Sequence, residues 1–208
     1  MKRRQILLSS LAIAALATPL VGGIARSARA QSVEIFPDDR ILGAAEAPLT
    51  IIEYSSLTCP HCAALHKEAL PRIKETWIAE GRARLVYRHY PLDGLALRAA
   101  AVANCIEGER FFPFVDLLFE NQQRWARAAD PVQALGQMAR LAGLSQGRFD
   151  ACVSDEAEMD KILRRAEHGG KTFNVESTPT LIVNGRKFEG ARSFEELDKI
   201  FTKIAAGS

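Results

Sequence analysis

The chain has 208 residues, 48% of them hydrophobic, with 27 Lys and Arg against 25 Asp and Glu for a formal charge of +2. That is long enough for one domain with a proper buried core, so folding does not depend on cross-links. No basic, aromatic-interleaved patch marks a nucleic-acid surface, and no internal repeat or Gly/Ser linker splits the chain.

The first thirty residues read as a secretory signal peptide. Lys2, Arg3 and Arg4 precede an apolar segment from Ile6 to about Val21, and Ala28-Arg29-Ala30 supplies a small-x-small pattern that predicts cleavage after Ala30. A membrane anchor competes with this reading, but the segment is short and contains Ser9, Ser10, Thr18 and Pro19. Arg3-Arg4 leaves a general and a twin-arginine export route both open. Cleavage would remove the five basic residues Lys2, Arg3, Arg4, Arg26 and Arg29 and no acidic one, leaving 22 basic against 25 acidic residues. The basic balance then belongs to targeting, and the product is expected to be soluble.

Ser32 to Pro48 is a lead-in of turn-forming and acidic residues, with Ile35, Phe36, Ile41 and Leu42 available to pin it to the core. It is too short for a dimerisation domain, so a monomer is expected. Leu49-Thr50-Ile51-Ile52 reads as a buried strand running into Glu53 and Tyr54, and Ala63 to Ile78 carries apolar residues at helical intervals. Between them stands Cys59-Pro60-His61-Cys62. This spacing suits a one-turn disulfide, and it places Cys59 at a helix N-terminus, where unpaired N–H groups and the positive end of the helix dipole favour thiolate over thiol. His61 can add a donor or a positive charge. A stabilised thiolate is also a good leaving group, so a disulfide containing it oxidises other thiols readily.

Ala83 to Tyr90 alternates and is rich in strand formers, predicting a second strand that Pro91-Leu92 ends. From Leu95 to about Lys171 the pattern is helical, with helices expected over Leu97–Glu107, Phe111–Trp125, Pro131–Ala142, Ser145–Asp150 and Glu156–His168. Thr180-Leu181-Ile182-Val183, Asn184-Gly185 and Arg186-Lys187-Phe188-Glu189 form a hairpin signal. Ser193 then caps a last amphipathic helix with Phe194, Leu197, Ile200, Phe201 and Ile204 on one face. The order is strand, helix, strand, helical block, strand, strand, helix.

Ile52-Glu53-Tyr54 ahead of the C-P-H-C motif, the helical block, and Ser177-Thr178-Pro179-Thr180 at the later strand together resemble the DsbA-like thiol:disulfide oxidoreductases of the thioredoxin superfamily. The resemblance implies an α/β, thioredoxin-like fold with an inserted helical domain, the redox part being residues 31–94 and 172–208 and the insertion 95–171. It implies that Cys59 is the exposed nucleophile and Cys62 the more buried resolving thiol, with Pro60 and His61 tuning the pair. It also implies a cis bond before Pro179, a Thr178 backbone offered to extended substrate, and a partly buried Glu53 that helps move protons. The plainer reading of Glu53, an acid at a strand end that reaches solvent, stays open, because a buried ionised acid must find partners. His66, four residues after Cys62, reads as a surface or packed helical histidine, and His89 and His168 are given no role.

Zinc is a poor alternative for the motif, since a closed site wants a second ligand pair and the other cysteines, Cys105 and Cys152, are isolated. A purely structural bond across so small a ring would add little stability. Cys105 and Cys152 are either two packed thiols or a second disulfide. An oxidising compartment favours the disulfide, worth at most about 4 kcal/mol for their separation.

The function expected is a periplasmic dithiol oxidase acting on reduced, unfolded exported proteins. The resemblance implies reoxidation by a DsbB-type, quinone-linked membrane partner. The sulfur pair stores the two electrons, so no cofactor and no metal are expected. A disulfide isomerase or reductase would use the same residues but be kept reduced. A holdase or copper-binding protein is a reading of a different class.

Overall fold

The computed structural model describes residues 33–207. The predicted signal peptide, its cleavage after Ala30 and the export route lie outside the described residues.

Five strands make one sheet: β1 (Arg40–Leu42), β2 (Leu49–Ser55), β3 (Ala83–His89), β4 (Thr180–Val183) and β5 (Arg186–Glu189), in the order β1-β3-β2-β4-β5. β2 and β3 are parallel, with Glu53 opposite Tyr87 and Ser55 opposite His89, and the other pairs are antiparallel. A parallel pair needs a crossover, and the helical segment after Cys59 supplies it. All seven residues of β2 are buried, as the continuous apolar run predicts for a central strand covered on both faces. β1 was not expected. Three residues carry no readable period, and they become a strand only by pairing with Leu85–Tyr87 of β3.

The crossover is not one helix. α1 (Pro60–Glu68) gives way to α2 (Leu70–Ile73), which contains Pro71, and then to a π-helical turn over Lys74–Ile78. Pro71 lacks the N–H that a continuous helix would use, and its ring crowds the preceding turn. The helical block lies between β3 and β4 as α3 (Gly94–Asn104), α4 (Phe111–Glu120), α5 (Gln122–Ala126), α6 (Pro131–Leu141), α7 (Gln146–Val153) and α8 (Glu156–Phe173). α3 starts earlier than predicted because the Asp93 side chain accepts from Ala96 N and caps it. The long predicted helix over 111–125 breaks at Asn121. α8 runs on to Phe173, where Asn174 ends it in the left-handed conformation at φ 53°.

At the hairpin, Asn184 and Gly185 both have positive φ, 45° and 83°, as a tight two-residue turn requires. The Asn184 side chain also accepts from Thr50 N at 2.8 Å, fixing the hairpin to β2. α9 (Phe194–Ala206) opens with a Ser193/Glu196 capping box and buries Leu197, Phe201 and Ile204 against the core. The other sheet face packs Ile52, Tyr54, Val86 and Ile182 against Val175 and Phe173. α8 crosses so closely there that a Cβ on Gly169 would sit 2.4 Å from the Tyr54 ring. Within the block, Cys105 at the end of α3 is bonded to Cys152 in α7, with S–S 2.06 Å and Cα–Cα 6.3 Å.

Candidate active site

Cys59 occupies the N-cap of α1 with Pro60 in the first turn, a position where the absent proline N–H would have had no partner. No side chain caps this end, so the N–H groups that start the helix are free to face the sulfur. The bend ahead of it is held by Cys59 N donating to Ser56 O at 3.0 Å. From the helical block, the buried Gln122 amide donates to both Leu57 O and Cys59 O at 2.9 Å. Gln122 thus clamps the active-site loop from α5, a contact between residues more than sixty apart that no local pattern signals. Cys59, expected to be exposed, is buried at 6% exposure, because the helix start tucks it under the Thr178 loop, while Pro60 and His61 beside it are exposed. An open groove next to Pro60 is lined by Thr58, Asp93, Leu95, Gln123 and Arg127.

The Thr178–Pro179 bond is cis, and both residues are buried. The Thr178 carbonyl lies at the active-site sulfur, and the Cys59 thiol donates to it at 3.4 Å. Cys59 and Cys62 are present as a dithiol. Their environments push them in opposite directions. Cys59 is lowered from 9.0 to about 5, first by the hydrogen bond from the Cys62 thiol, then by the Thr178 side chain and the backbone N–H groups of Cys62 and His61, against a cost of desolvation. His61 therefore contributes through its backbone. Cys62 is fully buried and is pushed up, first by desolvation and next by its bond to Cys59, with a smaller opposing effect from Ser55.

Beneath Cys62, Glu53, Ser55 and Tyr87 share one face of the sheet, and all are buried. Glu53 does not reach solvent. Its Oε1 meets His66 Nε2 at 3.0 Å, and His66 Nδ1 meets Asp116 Oδ1 of α4 at 2.9 Å. Lys74 closes the outer end on Asp116 Oδ2. His66, expected to be at the surface or merely packed, is a buried link between two carboxylates. Its four-residue spacing from Cys62 places it on the right helix face, but nothing in the sequence ties it to Asp116, fifty residues on.

The chain belongs to the thioredoxin family: the family model described as "Thioredoxin" matches residues 36–203. A protein-disulfide oxidoreductase of Rickettsia bellii is 27% identical over 158 residues, which are 75% of this chain and 61% of that one. The chain thus spans about three-fifths of that relative's length. Among solved structures, Wolbachia pipientis alpha-DsbA1 is similar at TM-score 0.77 and 29% identity, over 83% of this chain and 93% of that one. Oxidised BdbD of Bacillus subtilis shares the fold at TM-score 0.72 and 20% identity, over 81% and 94% of the two chains. The architecture is accordingly a thioredoxin-like fold of DsbA type with a helical insertion.

Proposed function

We propose that the protein is an exported thiol:disulfide oxidoreductase that introduces disulfides into reduced, unfolded proteins in the periplasm. The observation that carries this is the opposed ionisation of two sulfurs one helical turn apart, Cys59 lowered to about 5 and Cys62 raised, beside the Thr178 carbonyl. The names carried by the similar proteins point the same way. A client thiolate attacks Cys59 Sγ of the oxidised pair, the Cys59–Cys62 bond breaks, and Cys62 leaves with the electron pair and takes up a proton. A second client thiolate then attacks the client sulfur of the mixed disulfide. Cys59 leaves as a thiolate stable at neutral pH, the client disulfide is complete, and two electrons remain on the pair. Thr178 offers its backbone to the extended client, Pro179 walls the site beside it, and Glu53 serves the proton step. Reoxidation falls to a DsbB-type, quinone-linked membrane partner, and the protein works as a monomer without cofactor or metal.

Oxidation of a reduced, unfolded client by the Cys59→Ser and Cys62→Ser variants tests this reading. Cys59→Ser should be inactive, and Cys62→Ser should still attack client disulfides but accumulate mixed disulfides. Turnover by Cys59→Ser would overturn the assignment. An enzyme found reduced at rest in the periplasm, and active on scrambled but not on reduced clients, would instead establish the isomerase reading.

A further inference from the structure

The proton that Cys62 takes up must come from outside the core. When the pair is opened, Cys62 departs as a thiolate inside the core, where its charged form is strongly disfavoured. Cys62 is fully buried, so water cannot reach it directly.

His66 has side-chain exposure of 1%, and both ring nitrogens face carboxylate oxygens, Glu53 Oε1 at 3.0 Å and Asp116 Oδ1 at 2.9 Å. A neutral imidazole carries one N–H and could donate to only one of them. Both contacts are hydrogen bonds only if the three groups hold one proton more than a neutral imidazole and two carboxylates. That proton sits on His66 or on one of the acids, and one pass along the two hydrogen bonds moves no heavy atom. At the inner end, Glu53 Oε2, Ser55 Oγ and Tyr87 Oη are buried without an aligned hydrogen-bond partner. They span the space toward Cys62: Glu53 and Cys62 both act on Tyr87, while Ser55 acts on Tyr87 and on Cys62. At the outer end, the Asp116 side chain is 32% exposed and Lys74 22%. Hydrogen bonds therefore join Glu53 to the surface, and the Tyr87 hydroxyl lies near both Glu53 and Cys62.

We propose that His66 and Asp116 carry protons between solvent and Glu53, so that Cys62 is protonated as it leaves Cys59. Glu53 takes the Nε2 proton of His66 at Oε1 while Asp116 passes its own to Nδ1, and the Glu53 carboxyl turns to give the proton to Cys62 across the Ser55 and Tyr87 hydroxyls. The ring and the carboxyl then turn back, and Asp116 takes a proton from water. One proton enters at the surface and one is consumed at Cys62. The groups facing the His66 ring agree with this role: Glu53 from β2, Asp116 with Phe119 at 4.2 Å from α4, and Tyr87 at 6.0 Å from β3. The two acids raise its pKa against the burial that lowers it, so it holds a proton to donate. His66 does not touch the sulfurs and acts through Glu53, as a positioning and proton-carrying residue.

The inference rests on the oxidoreductase reading, and its test is separable from the test of that reading. Oxidised protein is mixed with a small monothiol across a range of pH, and the Cys62 thiol released is trapped by alkylation and counted, with the reagent's own ionisation corrected from parallel runs. Asp116→Asn removes a negative charge that holds the His66 proton, so the alkaline limb of the rate should move down by about one pH unit. Lys74→Met frees Asp116 of its second cation and should move the limb up. His66→Gln keeps a donor toward Glu53 but cannot carry a proton, and the rate should fall about tenfold or more with its solvent isotope effect lost. If His66→Gln does not fold, the opposed shifts of the two outer variants decide the matter. Limbs that superimpose on that of the unaltered protein, or rates lowered equally at every pH, would overturn the relay. If the unaltered protein oxidises clients without needing Cys59, the functional reading fails instead.

Discussion

Ionisation of Cys59 decides how oxidising the pair is, and its largest favourable contribution comes from the neighbouring thiol. A hydrogen bond to a charged group is worth about 1.5–3 kcal/mol, and a pKa change of one is worth about 1.4 kcal/mol. Cys62→Ala should therefore raise the Cys59 pKa by about one to two, and Cys62→Ser, which keeps a hydroxyl donor, by less. The same ionisation links stability to pH. Cys59 titrates at about 5 in the folded dithiol form, against about 8.5 for an unfolded cysteine. A depressed pKa adds stability that is complete above about pH 8.5 and is lost as pH falls through about 5. The full difference corresponds to about 5 kcal/mol, which is an upper bound on the stability gap. Thiolate absorbance against pH gives the pKa values, and urea unfolding of the reduced and oxidised forms gives the stability gap. A Cys59 midpoint unmoved by Cys62→Ala, or a gap that stays flat between those two pH values, would refute the reasoning.

His61→Ala should move the Cys59 titration less than Cys62→Ala does, because the structure brings the His61 N–H, not its exposed imidazole, to bear on the sulfur; the same absorbance titration decides it, and the larger shift in His61→Ala would refute it. Replacing Cys105 and Cys152 together by Ala should lower the melting temperature in calorimetry by up to about 10 °C, from a loop-entropy ceiling of about 4 kcal/mol. Client oxidation at moderate temperature should stay nearly intact, since neither residue lies in the redox motif, and a loss of oxidation there would make the bond part of the chemistry.

What the sequence made readable was local. The C-P-H-C motif between an apolar run and a helical one, the Asn184-Gly185 turn, and the Ser193 cap are each written within a few residues, and each formed where its short-range chemistry put it. The thioredoxin-like architecture could be read because these signals come in a fixed order. β1 could not be read, since three residues acquire strand geometry only from β3. The breaks at Pro71 and Asn121 were marked by their residue types, but apolar periodicity running through both positions concealed them. The site's supports were the least visible. Gln122 on the loop, Asp116 on His66 and the seclusion of Glu53 are contacts between elements, and a helix pattern shows which face is polar without showing what that face meets.

The two sulfurs owe their difference to a single turn of α1. Cys59, as the cap, faces the free N–H groups, the Cys62 thiol and the Thr178 side chain, which together outweigh the cost of partial burial. Cys62, three residues on, is rotated into the core against Ser55, where desolvation prevails. The first environment stabilises the reduced form and so makes the disulfide oxidising. The second creates the opposite problem, because a Cys62 thiolate left in the core is a strong nucleophile lying next to the bond from which it was expelled. Unless it is protonated promptly it attacks Cys59 again and returns the client thiol, undoing the first step. An oxidant built on this geometry therefore needs a proton source under Cys62 as much as a stabilised thiolate at Cys59. The buried Glu53, joined through His66 and Asp116 to the surface, is placed to be that source.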